Sequence, residues 1–432
     1  MTYPATWYAA ETPKAPGYPA LTGMVEADVC IIGGGLAGLT AARELLRAGK
    51  GVVLLEAERI AWGASGRNGG FVSPGFALGV EGIIAKVGLA ATQQLYALSK
   101  AGHDYVWSAI AELAPAALMG SGWLVALRQP GRDELIRHQA LMAEHFATDA
   151  EVFAPEHTRK MLKSERYFES MLSPDAFHIQ PLTYALALAR DVARLGGNIH
   201  EGSRALSWQR SGGKAILRTN KGQVRAQHAV FCTSGYGGQL FAPLARSVLP
   251  VATYIAVTQP LGEKVCAAIA TGAAVSDTRR AGDYYRVLPG GRILWGGRIS
   301  TRRTEPARLA ERMRGDMLSV YPQLGTPRME YAWSGLMGYA RHKMPVIEQP
   351  GEGLWMATAF GGHGLNTTAM AGQLIAAAIA GGDDRWKLFG PFGSPWVGGP
   401  FGQAGVQMSY WAMQAKDRLD ERGMVRRRSY RW

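Results

Sequence analysis

The chain has 432 residues, of which 47% are hydrophobic and 19% are charged, a composition typical of a globular protein with room for two domains. Its three cysteines show no CxxC motif and no paired spacing, which argues against a disulfide framework and against a zinc site. The formal charge of +13 comes from dispersed basic residues without a nucleic-acid-binding motif, so it indicates attraction of anionic ligands rather than a nucleic acid partner.

The amino terminus lacks the pattern of a secretory signal. Residues 1–23 are polar and interrupted by proline, without the basic and apolar segments that such a signal contains. No run of about 18 apolar residues occurs in the chain, so the sequence predicts no transmembrane helix. We therefore expect a reducing, cytoplasmic location.

Residues 26–56 predict a strand, a glycine-rich turn, a helix and a second strand. Residues 28–32 form a short apolar run typical of a buried parallel strand, and residues 33–38 follow with the spacing GxGxxG. These glycines would provide a tight turn, close approach of the backbone to a diphosphate and close packing of helix on strand. The second strand, residues 52–55, ends at Glu56, which is positioned to accept hydrogen bonds from ribose hydroxyls.

This motif predicts an adenine dinucleotide and leaves its identity open. Amide groups at the start of the helix would bind the diphosphate. The acid at Glu56 disfavours a 2′-phosphate and so argues against NADP. NAD and FAD are both compatible with these residues.

A second segment resembles part of the same nucleotide-binding domain. Residues 181–195 predict an amphipathic helix, and residues 198–207 with 214–220 predict a hairpin. Residues 229–232 predict a buried strand, and residues 233–235 form the turn at its carboxyl end. Ligands of α/β proteins bind at such strand ends.

A third segment, residues 353–380, predicts another strand, a glycine turn and a helix rich in small residues. We expect this helix to begin near Gly364. Asn366, Thr367 or Thr368 would supply its amino-terminal cap.

The segments between these three predict a second domain. Residues 254–257, 284–288 and 292–299 alternate in the manner of strands, and the Pro-Gly-Gly at 289–291 predicts the turn between the last two. We therefore predict an α/β fold, with a Rossmann-like dinucleotide-binding domain and an inserted α+β substrate domain built on an antiparallel sheet. The dinucleotide-binding domain would comprise residues 1–80, 181–250 and 335–382, and the substrate domain would comprise residues 81–180 and 251–334. Residues 383–432 would form a tail that packs on these domains and is helical over 406–422.

Four segments together resemble the D-amino-acid oxidase superfamily of FAD oxidoreductases. They are GGGLAGLTAA with Glu56, the loop GASGRNGG at 63–70, the strand AVFCTSG at 229–235 and the turn GGHGLN at 361–366. Within the superfamily, the leader at 6–35 and the SGRNGG loop resemble the gamma-glutamylputrescine oxidase branch, and the resemblance covers nearly the full length. It implies FAD rather than NAD, and non-covalent FAD, because no cysteine follows Cys266 in the region where relatives tether their flavin.

The resemblance also assigns the FAD-binding positions residue by residue. The pyrophosphate would contact Gly33, Gly35, Leu36, Ala37 and Gly38, and the adenosine ribose would be held at Glu56 and Ala57. The loop beneath the flavin would contribute Gly63, Ser65, Arg67, Asn68, Gly69 and Gly70. Ala205 would contact the adenine through its main chain, and the diphosphate side would be lined by Thr233, Ser234 and Gly235. The pyrimidine edge of the flavin would lie against Gly362, His363, Gly364, Leu365 and Thr367.

One departure from the superfamily pattern concerns the substrate. Members specific for amino acids carry an arginine that clamps the substrate carboxylate, and Met337 stands at that position here. A thioether cannot form the bidentate contact, so the departure favours an amine without a carboxylate beside the reacting carbon. Arg286 or Arg341 would be alternative anion sites. Residues 293–295 lack the lysine with which some relatives activate oxygen, so oxidase and dehydrogenase behaviour both stay open.

The leading hypothesis is FAD-dependent oxidation of a polyamine-like or gamma-glutamyl-polyamine-like amine. Hydride would pass to flavin N5, giving an imine or aldehyde plus ammonia, and molecular oxygen would take up the electrons as hydrogen peroxide. An aromatic cage for the amine would comprise Tyr254, Tyr285, Trp295 and Tyr339. His363 would donate or accept a proton near the flavin.

The alternative hypothesis is an amino-acid or imino-acid oxidase or dehydrogenase that passes electrons to a quinone. The segment 406–422 and the basic residues after it would then contact an anionic membrane surface, although a docked helix is the plainer interpretation. A third hypothesis is a flavin-fold subunit without enzymatic activity that binds a partner.

Overall fold

The computed structural model of the chain describes residues 2–14, 16–280 and 282–429, with side chains described through residue 420. The last three residues of the predicted basic end, 430–432, lie outside this range.

Strands and α-helices are interspersed along the described chain. The strands are β1 (Gly23–Ile32), β2 (Val52–Leu55), β3 (Phe71–Val72), β4 (Leu118–Ala126), β5 (Glu151–Phe153), β6 (Ser170–Ile179), β7 (Asn198–His200), β8 (Ser207–Ser211), β9 (Lys214–Arg218), β10 (Gly222–Phe231), β11 (Leu249–Thr258), β12 (Ala274–Asp277), β13 (Tyr284–Leu288), β14 (Arg292–Ser300), β15 (Met329–Tyr339), β16 (Val346–Gly351) and β17 (Leu354–Thr358). The α-helices are α1 (Trp7–Glu11), α2 (Leu36–Arg47), α3 (Val80–Val87), α4 (Leu89–Leu113), α5 (Arg132–Phe146), α6 (Pro155–Met161), α7 (Pro181–Arg194), α8 (Ala242–Ser247), α9 (Leu309–Val320), α10 (Gly364–Gly381) and α11 (Gly399–Ser429).

The chain divides into two compact units, each built from three segments. The first unit comprises Met1–Gly120, Ala176–Pro250 and Gly335–Val397, and the second comprises Ser121–Asp175, Val251–Ser334 and Gly398–Trp432.

This division differs from the predicted domain boundaries. Residues 81–120, predicted for the substrate domain, lie in the first unit, and the predicted tail is split at residue 398. The reason is helix packing: a Cβ on Gly102 of α4 would overlap the Asn366 carbonyl oxygen of α10 and lie 2.9 Å from the Met370 Cβ. Such close approach of two helices needs a glycine at the crossing point.

The first unit is organised around a largely parallel sheet with strand order β16-β17-β10-β1-β2-β7. β1 lies in the middle and pairs in parallel with β10 and with β2, so that Ile31 is opposite Val230 on one side and Leu54 on the other. All three side chains are fully buried, which explains why β1 and β2 read as continuous apolar runs.

One predicted hairpin in the first unit is wrong in its first strand. Residues 198–200 form β7, which pairs in parallel with β2, and the hairpin consists of β8 and β9. A three-residue strand with one buried side chain, Ile199, carries too little pattern to distinguish the two arrangements.

The second unit contains a mostly antiparallel sheet with strand order β15-β11-β14-β13-β12-β4-β6. The predicted hairpin is confirmed: β13 pairs with β14 from Tyr284 opposite Gly296 to Leu288 opposite Arg292. Its turn has φ of +76° at Gly290, a conformation that glycine adopts without strain.

Helix α11 begins earlier and ends later than the predicted helix over 406–422. Within the second unit, the Gln407 side-chain oxygen accepts hydrogen bonds from the Thr301 amide at 2.9 Å and the Ser300 hydroxyl at 3.1 Å. Arg280 forms ion pairs with Asp417 at 2.6 Å and Asp420 at 3.0 Å. Through the residues that the structure describes, no helix is both long and apolar enough to cross a membrane.

Candidate cofactor and active site

The glycine turn between β1 and α2 is held in a conformation that only glycine permits. Gly33 has φ of +112°, and a Cβ there would lie 2.9 Å from the Cys232 carbonyl oxygen at the end of β10. A Cβ on Gly38 would overlap the carbonyl oxygen of Gly33. The turn therefore brings α2 close to the ends of β1 and β10, as a dinucleotide-binding turn requires.

The N-cap residue of α2 supplies no side chain to cap the amino terminus of the helix. Gly35 is the N-cap and contributes no side chain, while the Ser65 hydroxyl of the following loop accepts from the Leu36 amide at 3.0 Å. The partial positive charge at this helix end favours an anion, so the turn fits a pyrophosphate.

The carboxylate of Glu56 ties the glycine turn to the end of β2. One oxygen accepts from the Gly34 amide at 2.7 Å and the other from the Glu58 amide at 2.8 Å. Burial raises the pKa of Glu56, and these backbone hydrogen bonds partly oppose that shift. Each carboxylate oxygen has a second lone pair, so the same group can also accept hydrogen bonds from ribose hydroxyls.

The loop 63–70 is stabilised by a side chain within it. The Asn68 amide nitrogen donates to the carbonyl oxygens of Ala64 at 3.1 Å and Ser65 at 3.0 Å, and the Asn68 side-chain oxygen accepts from the Gly70 amide at 2.8 Å. The Tyr8 hydroxyl donates to the Asn68 carbonyl at 2.8 Å. Asn68 therefore sets the shape of the loop, whatever else it contacts.

Arg67 is held by two aromatic residues that the sequence did not single out. Its guanidinium donates to the Tyr236 hydroxyl at 2.8 Å and lies 4.5 Å from the centre of the Trp62 ring. The same hydroxyl accepts from the Leu336 amide at 2.9 Å. Trp62 directly precedes the glycine loop and Tyr236 directly follows the turn 233–235, so position next to a motif was the only sequence signal for this pair.

The other residues predicted to contact the diphosphate and the adenine, 233–235 and 205, lie in the first unit. Ser234 has φ of +45°, and a Cβ on Gly338 would overlap its hydroxyl oxygen, so the turn 233–235 packs closely on β15. A Cβ built on Gly235 would lie 3.5 Å from the Leu336 Cβ, which is ordinary van der Waals contact. Ala205 packs against the apolar core beside the sheet.

Helix α10 begins at Gly364 as predicted, but its predicted cap is wrong. His363 is the N-cap residue, and its side chain does not cap the first amides of the helix. The Thr367 and Thr368 hydroxyls donate to backbone carbonyls of the preceding turn, and the Asn366 amide donates to a facing loop. The first amides of α10 thus lack a side-chain acceptor at the cap position, which fits a partly negative flavin edge.

His363 fastens α10 to the loop 73–75 of the same unit. Its Nε2 lies 3.1 Å from the Pro74 carbonyl oxygen and 3.2 Å from the Ser73 carbonyl oxygen, so Nε2 carries the proton and donates it. Burial lowers the pKa of His363, and the bonds to these carbonyls partly oppose that shift. His363 is therefore a neutral, oriented ring in the folded protein near neutral pH, and its role in proton transfer stays a prediction.

The lowered pKa of His363 predicts a pH dependence of stability. As pH falls, the unfolded chain takes up the proton first, so the contribution of His363 to stability is complete above about pH 6.5 and is lost as pH falls through the lower folded pKa. We expect the free energy of unfolding of the unaltered protein to drop more between about pH 7.5 and about pH 5.5 than that of His363→Gln. Urea unfolding at both pH values measures the difference.

The other histidines with lowered pKa, His228 and His342, are present in both proteins and cancel in this comparison. Equal losses of stability in the unaltered protein and in His363→Gln would show that His363 is not neutral in the folded state.

Three of the four aromatic candidates lie in the second unit, where two of them form a packed cluster. The Tyr285 and Trp295 rings stack with centroids 4.5 Å apart, and both residues are 0% exposed. The Tyr285 hydroxyl bonds to those of Tyr321 at 2.6 Å and Tyr167 at 3.0 Å. Tyr254 is buried on β11. These contacts give Tyr285 and Trp295 a packing role, and any contact of theirs with an amine stays a prediction.

The fourth aromatic candidate, Tyr339, lies in the first unit beside the turn that precedes α10. A Cβ on Gly361 would lie 2.9 Å from the Tyr339 ring, and one on Gly362 would lie 3.1 Å from its hydroxyl oxygen. Met337 is half-buried and two residues earlier on β15, so its side chain projects from the same face of the strand. Tyr339 and Met337 thus accompany the glycine turn at the start of α10.

The residues of the first unit fit the FAD that the sequence resemblance implies. The helix starts at Gly35 and His363 receive no capping hydrogen bond from the side chain of the N-cap residue. Each is preceded by glycines, and a half-buried acid follows β2. Burial raises the pKa of the Cys30 thiol and raises that of Cys232 to about 12, so both thiols are protonated. In the ranges that the structure describes, no group of His, Cys, Asp or Glu side chains could hold a metal ion.

Comparison with known proteins gives the chain a family and named relatives. The model of the FAD dependent oxidoreductase (DAO) family matches residues 28–378. The chain is 30% identical over 379 residues to the probable oxidoreductase OrdL of Haemophilus influenzae, covering 86% of this chain and 87% of OrdL. It is 28% identical over 388 residues to the gamma-glutamylputrescine oxidoreductase of Escherichia coli, covering 89% of this chain and 91% of that protein.

The fold is similar to that of a protein of known structure. Glycine oxidase from Bacillus cereus matches with a TM-score of 0.70 and 20% sequence identity, over 84% of this chain and 97% of that one. This similarity confirms the fold class predicted from the sequence, and the family match confirms the resemblance to the D-amino-acid oxidase superfamily.

Proposed function

Because this chain belongs to the FAD dependent oxidoreductase (DAO) family, we propose that it oxidises a polyamine-like or gamma-glutamyl-polyamine-like amine. Its cofactor is FAD, and its class of substrate is amines or amino acids. The observation that carries this choice is Met337, half-buried on β15 at the position where amino-acid-specific members place an arginine. A thioether cannot neutralise a substrate carboxylate, and it places no positive charge beside an amine. The name of the Escherichia coli relative supports the same class of substrate.

In this proposal the first unit supplies the binding groups for the cofactor. The start of α2 and the Glu56 carboxylate would hold the diphosphate and ribose, and the amides at the start of α10 would stabilise the negative charge of a reduced flavin. Bound FAD supplies a ring that accepts hydride from the carbon beside the substrate nitrogen. His363 positions the loop 73–75 against α10 and stays neutral.

The proposed net reaction converts the amine, molecular oxygen and water to an aldehyde, ammonia and hydrogen peroxide. Oxygen uptake and peroxide release are measured with polyamines, gamma-glutamylated diamines and free amino acids. Turnover of the amines with matching oxygen and peroxide is the expected result. Activity on free amino acids alone would overturn the choice of amine, and reduction of a quinone without oxygen uptake would overturn the choice of acceptor.

Met337→Arg tests the residue on which the choice of substrate depends. A guanidinium at this position would repel a cationic amine and attract a carboxylate. We expect kcat/KM for the best amine to fall about tenfold or more, and the preference for amino acids over amines to rise by a similar factor.

Met337→Leu is the matched control, because it removes the sulfur without adding charge and keeps a similar volume. It is expected to keep the preference of the unaltered protein. If the two variants retain the same ratio of amine to amino-acid activity, Met337 does not face the substrate.

A further inference from the structure

Helix α11 carries a row of apolar side chains on its exposed face. This row, the α11 stripe, comprises Phe401, Ala404, Met408, Trp411, Ala415 and Leu419. Its members recur every three or four residues and so share one face of the helix. The large members are well exposed, from 54% at Trp411 to 86% at Phe401.

The acidic side chains of the described part of α11 point away from the stripe. Asp417 and Asp420 both pair with Arg280 of the second unit, whose single positive charge balances one of their two negative charges. Lys416 and Arg418 are exposed, and at about 100° per residue they flank the stripe on its two sides. Within residues 399–420, the exposed face of α11 thus combines apolar and basic side chains and carries no exposed acid.

The sequence continues this charge pattern beyond the stripe. After Glu421 it contains Arg422, the run Arg426–Arg427–Arg428 and Arg431, without a further acid. A helix with an apolar face and flanking basic residues is the pattern of a segment that lies in the interface of an anionic bilayer. Tryptophan, present in the stripe as Trp411, is enriched at such interfaces.

The size of the stripe distinguishes a lipid surface from a second copy of the chain. From Phe401 to Leu419 the helix is about 27 Å long, and one helix face is about 10 Å wide, which gives roughly 300 Å². A stable protein interface buries about 800 Å² on each partner. Exposed lysine is also depleted at the centres of protein interfaces.

We propose that the α11 stripe and its flanking basic residues bind the surface of an anionic lipid bilayer, with α11 lying along the surface. The docked face of α11, with Gln407 and Asp417, stays on the second unit during this contact. This proposal does not depend on the substrate proposed above.

Vesicle flotation of the full-length FAD-loaded protein tests the proposal. The probes are vesicles of phosphatidylcholine alone and vesicles that also contain phosphatidylglycerol, each at low and high salt. We expect binding to the anionic vesicles only, weakened by salt because the basic residues contribute by charge.

The double variant Trp411→Glu, Leu419→Glu is expected to lower the partition coefficient about tenfold or more, since both changes place negative charge on the stripe. Ile136→Glu is the matched control, because Ile136 is an exposed apolar residue on α5 of the same unit. It is expected to bind vesicles as the unaltered protein does, and all three proteins should turn over substrate equally without vesicles.

Two results would overturn the proposal. One is absence of binding to anionic vesicles, or equal binding by the unaltered protein and the double variant. The other is a dimer in sedimentation velocity that the double variant abolishes, since the stripe would then be covered by a second copy of the chain.

Discussion

Gly38→Ala is expected to yield a protein that retains on the order of tenfold less FAD and unfolds at a lower temperature. The added Cβ would overlap the Gly33 carbonyl oxygen and lie 3.1 Å from the Ile31 side chain. Gly33 is restrained from moving aside, because its amide donates a hydrogen bond to the Leu55 carbonyl oxygen at 2.8 Å. The clash is relieved only by separating α2 from β1, which costs about 1–3 kcal/mol and disturbs the amides proposed to bind the diphosphate.

Gly315→Ala is the matched control for this substitution. Gly315 is also helical, in α9, but a Cβ there would have no neighbour within 4 Å. Alanine is favoured over glycine in a helix by up to about 1 kcal/mol, so this variant is expected to be as stable as the unaltered protein or slightly more stable. The ratio of flavin to protein absorbance and thermal unfolding measure both variants. Full FAD content in Gly38→Ala would refute the close packing of α2 on β1.

Arg43→Met is expected to destabilise the first unit by about 3 kcal/mol or more. Arg43 is only 2% exposed, and its guanidinium lies 2.6 Å from the Asp191 carboxylate of α7 and 2.7 Å from Glu112 of α4. Burial alone would raise the pKa of Asp191, but hydrogen bonds from Arg43 and Arg194 lower it, so Asp191 is charged. Removing Arg43 leaves that buried charge with the exposed Arg194 alone.

The double variant Arg43→Met, Asp191→Leu separates the loss of the ion pair from the loss of packing. An apolar pair of similar volume is often as stable as a buried ion pair, so the double variant is expected to regain at least about half of the stability lost in Arg43→Met. Urea unfolding of the single and double variants gives the coupling free energy. Simple additivity of the two single losses would show that Arg43 and Asp191 do not interact.

The strand, glycine turn, helix and second strand proposed to bind the cofactor were predictable because their determinants are local. The order of strand, GxGxxG turn, helix and acid within residues 26–56 needs no information from the rest of the chain. The hairpin of β13 and β14 was equally predictable, since Pro-Gly-Gly at 289–291 separates two strand patterns.

The domain boundaries were not predictable in this way, since they depend on contacts between distant segments. Helix α4 belongs to the first unit because Gly102 lets it approach α10, more than 260 residues later in the chain. The residues that hold Arg67 illustrate the same limit, because Tyr236 follows it by 169 positions. No local pattern links such pairs.

The four aromatic candidates show a further limit of predicting binding-site residues from sequence patterns. Alternation in β13 and β14 marks Tyr285 and Trp295 as buried strand residues, and the structure stacks them on each other. A ring that packs on its neighbour and a ring that lines a binding site have the same strand pattern, so the four candidates could not be distinguished from sequence. Tyr339 differs from the others through its contact with the glycine turn before α10.

Anaerobic reduction of the bound flavin tests the central claim most directly, because it reports substrate oxidation without regard to the electron acceptor. The purified protein is mixed in a stopped-flow instrument with polyamines, gamma-glutamylated diamines and free amino acids, and loss of flavin absorbance is followed. The account predicts that at least one amine bleaches the flavin about tenfold faster or more than any amino acid at equal concentration. Bleaching by amino acids with no response to the amines would contradict it.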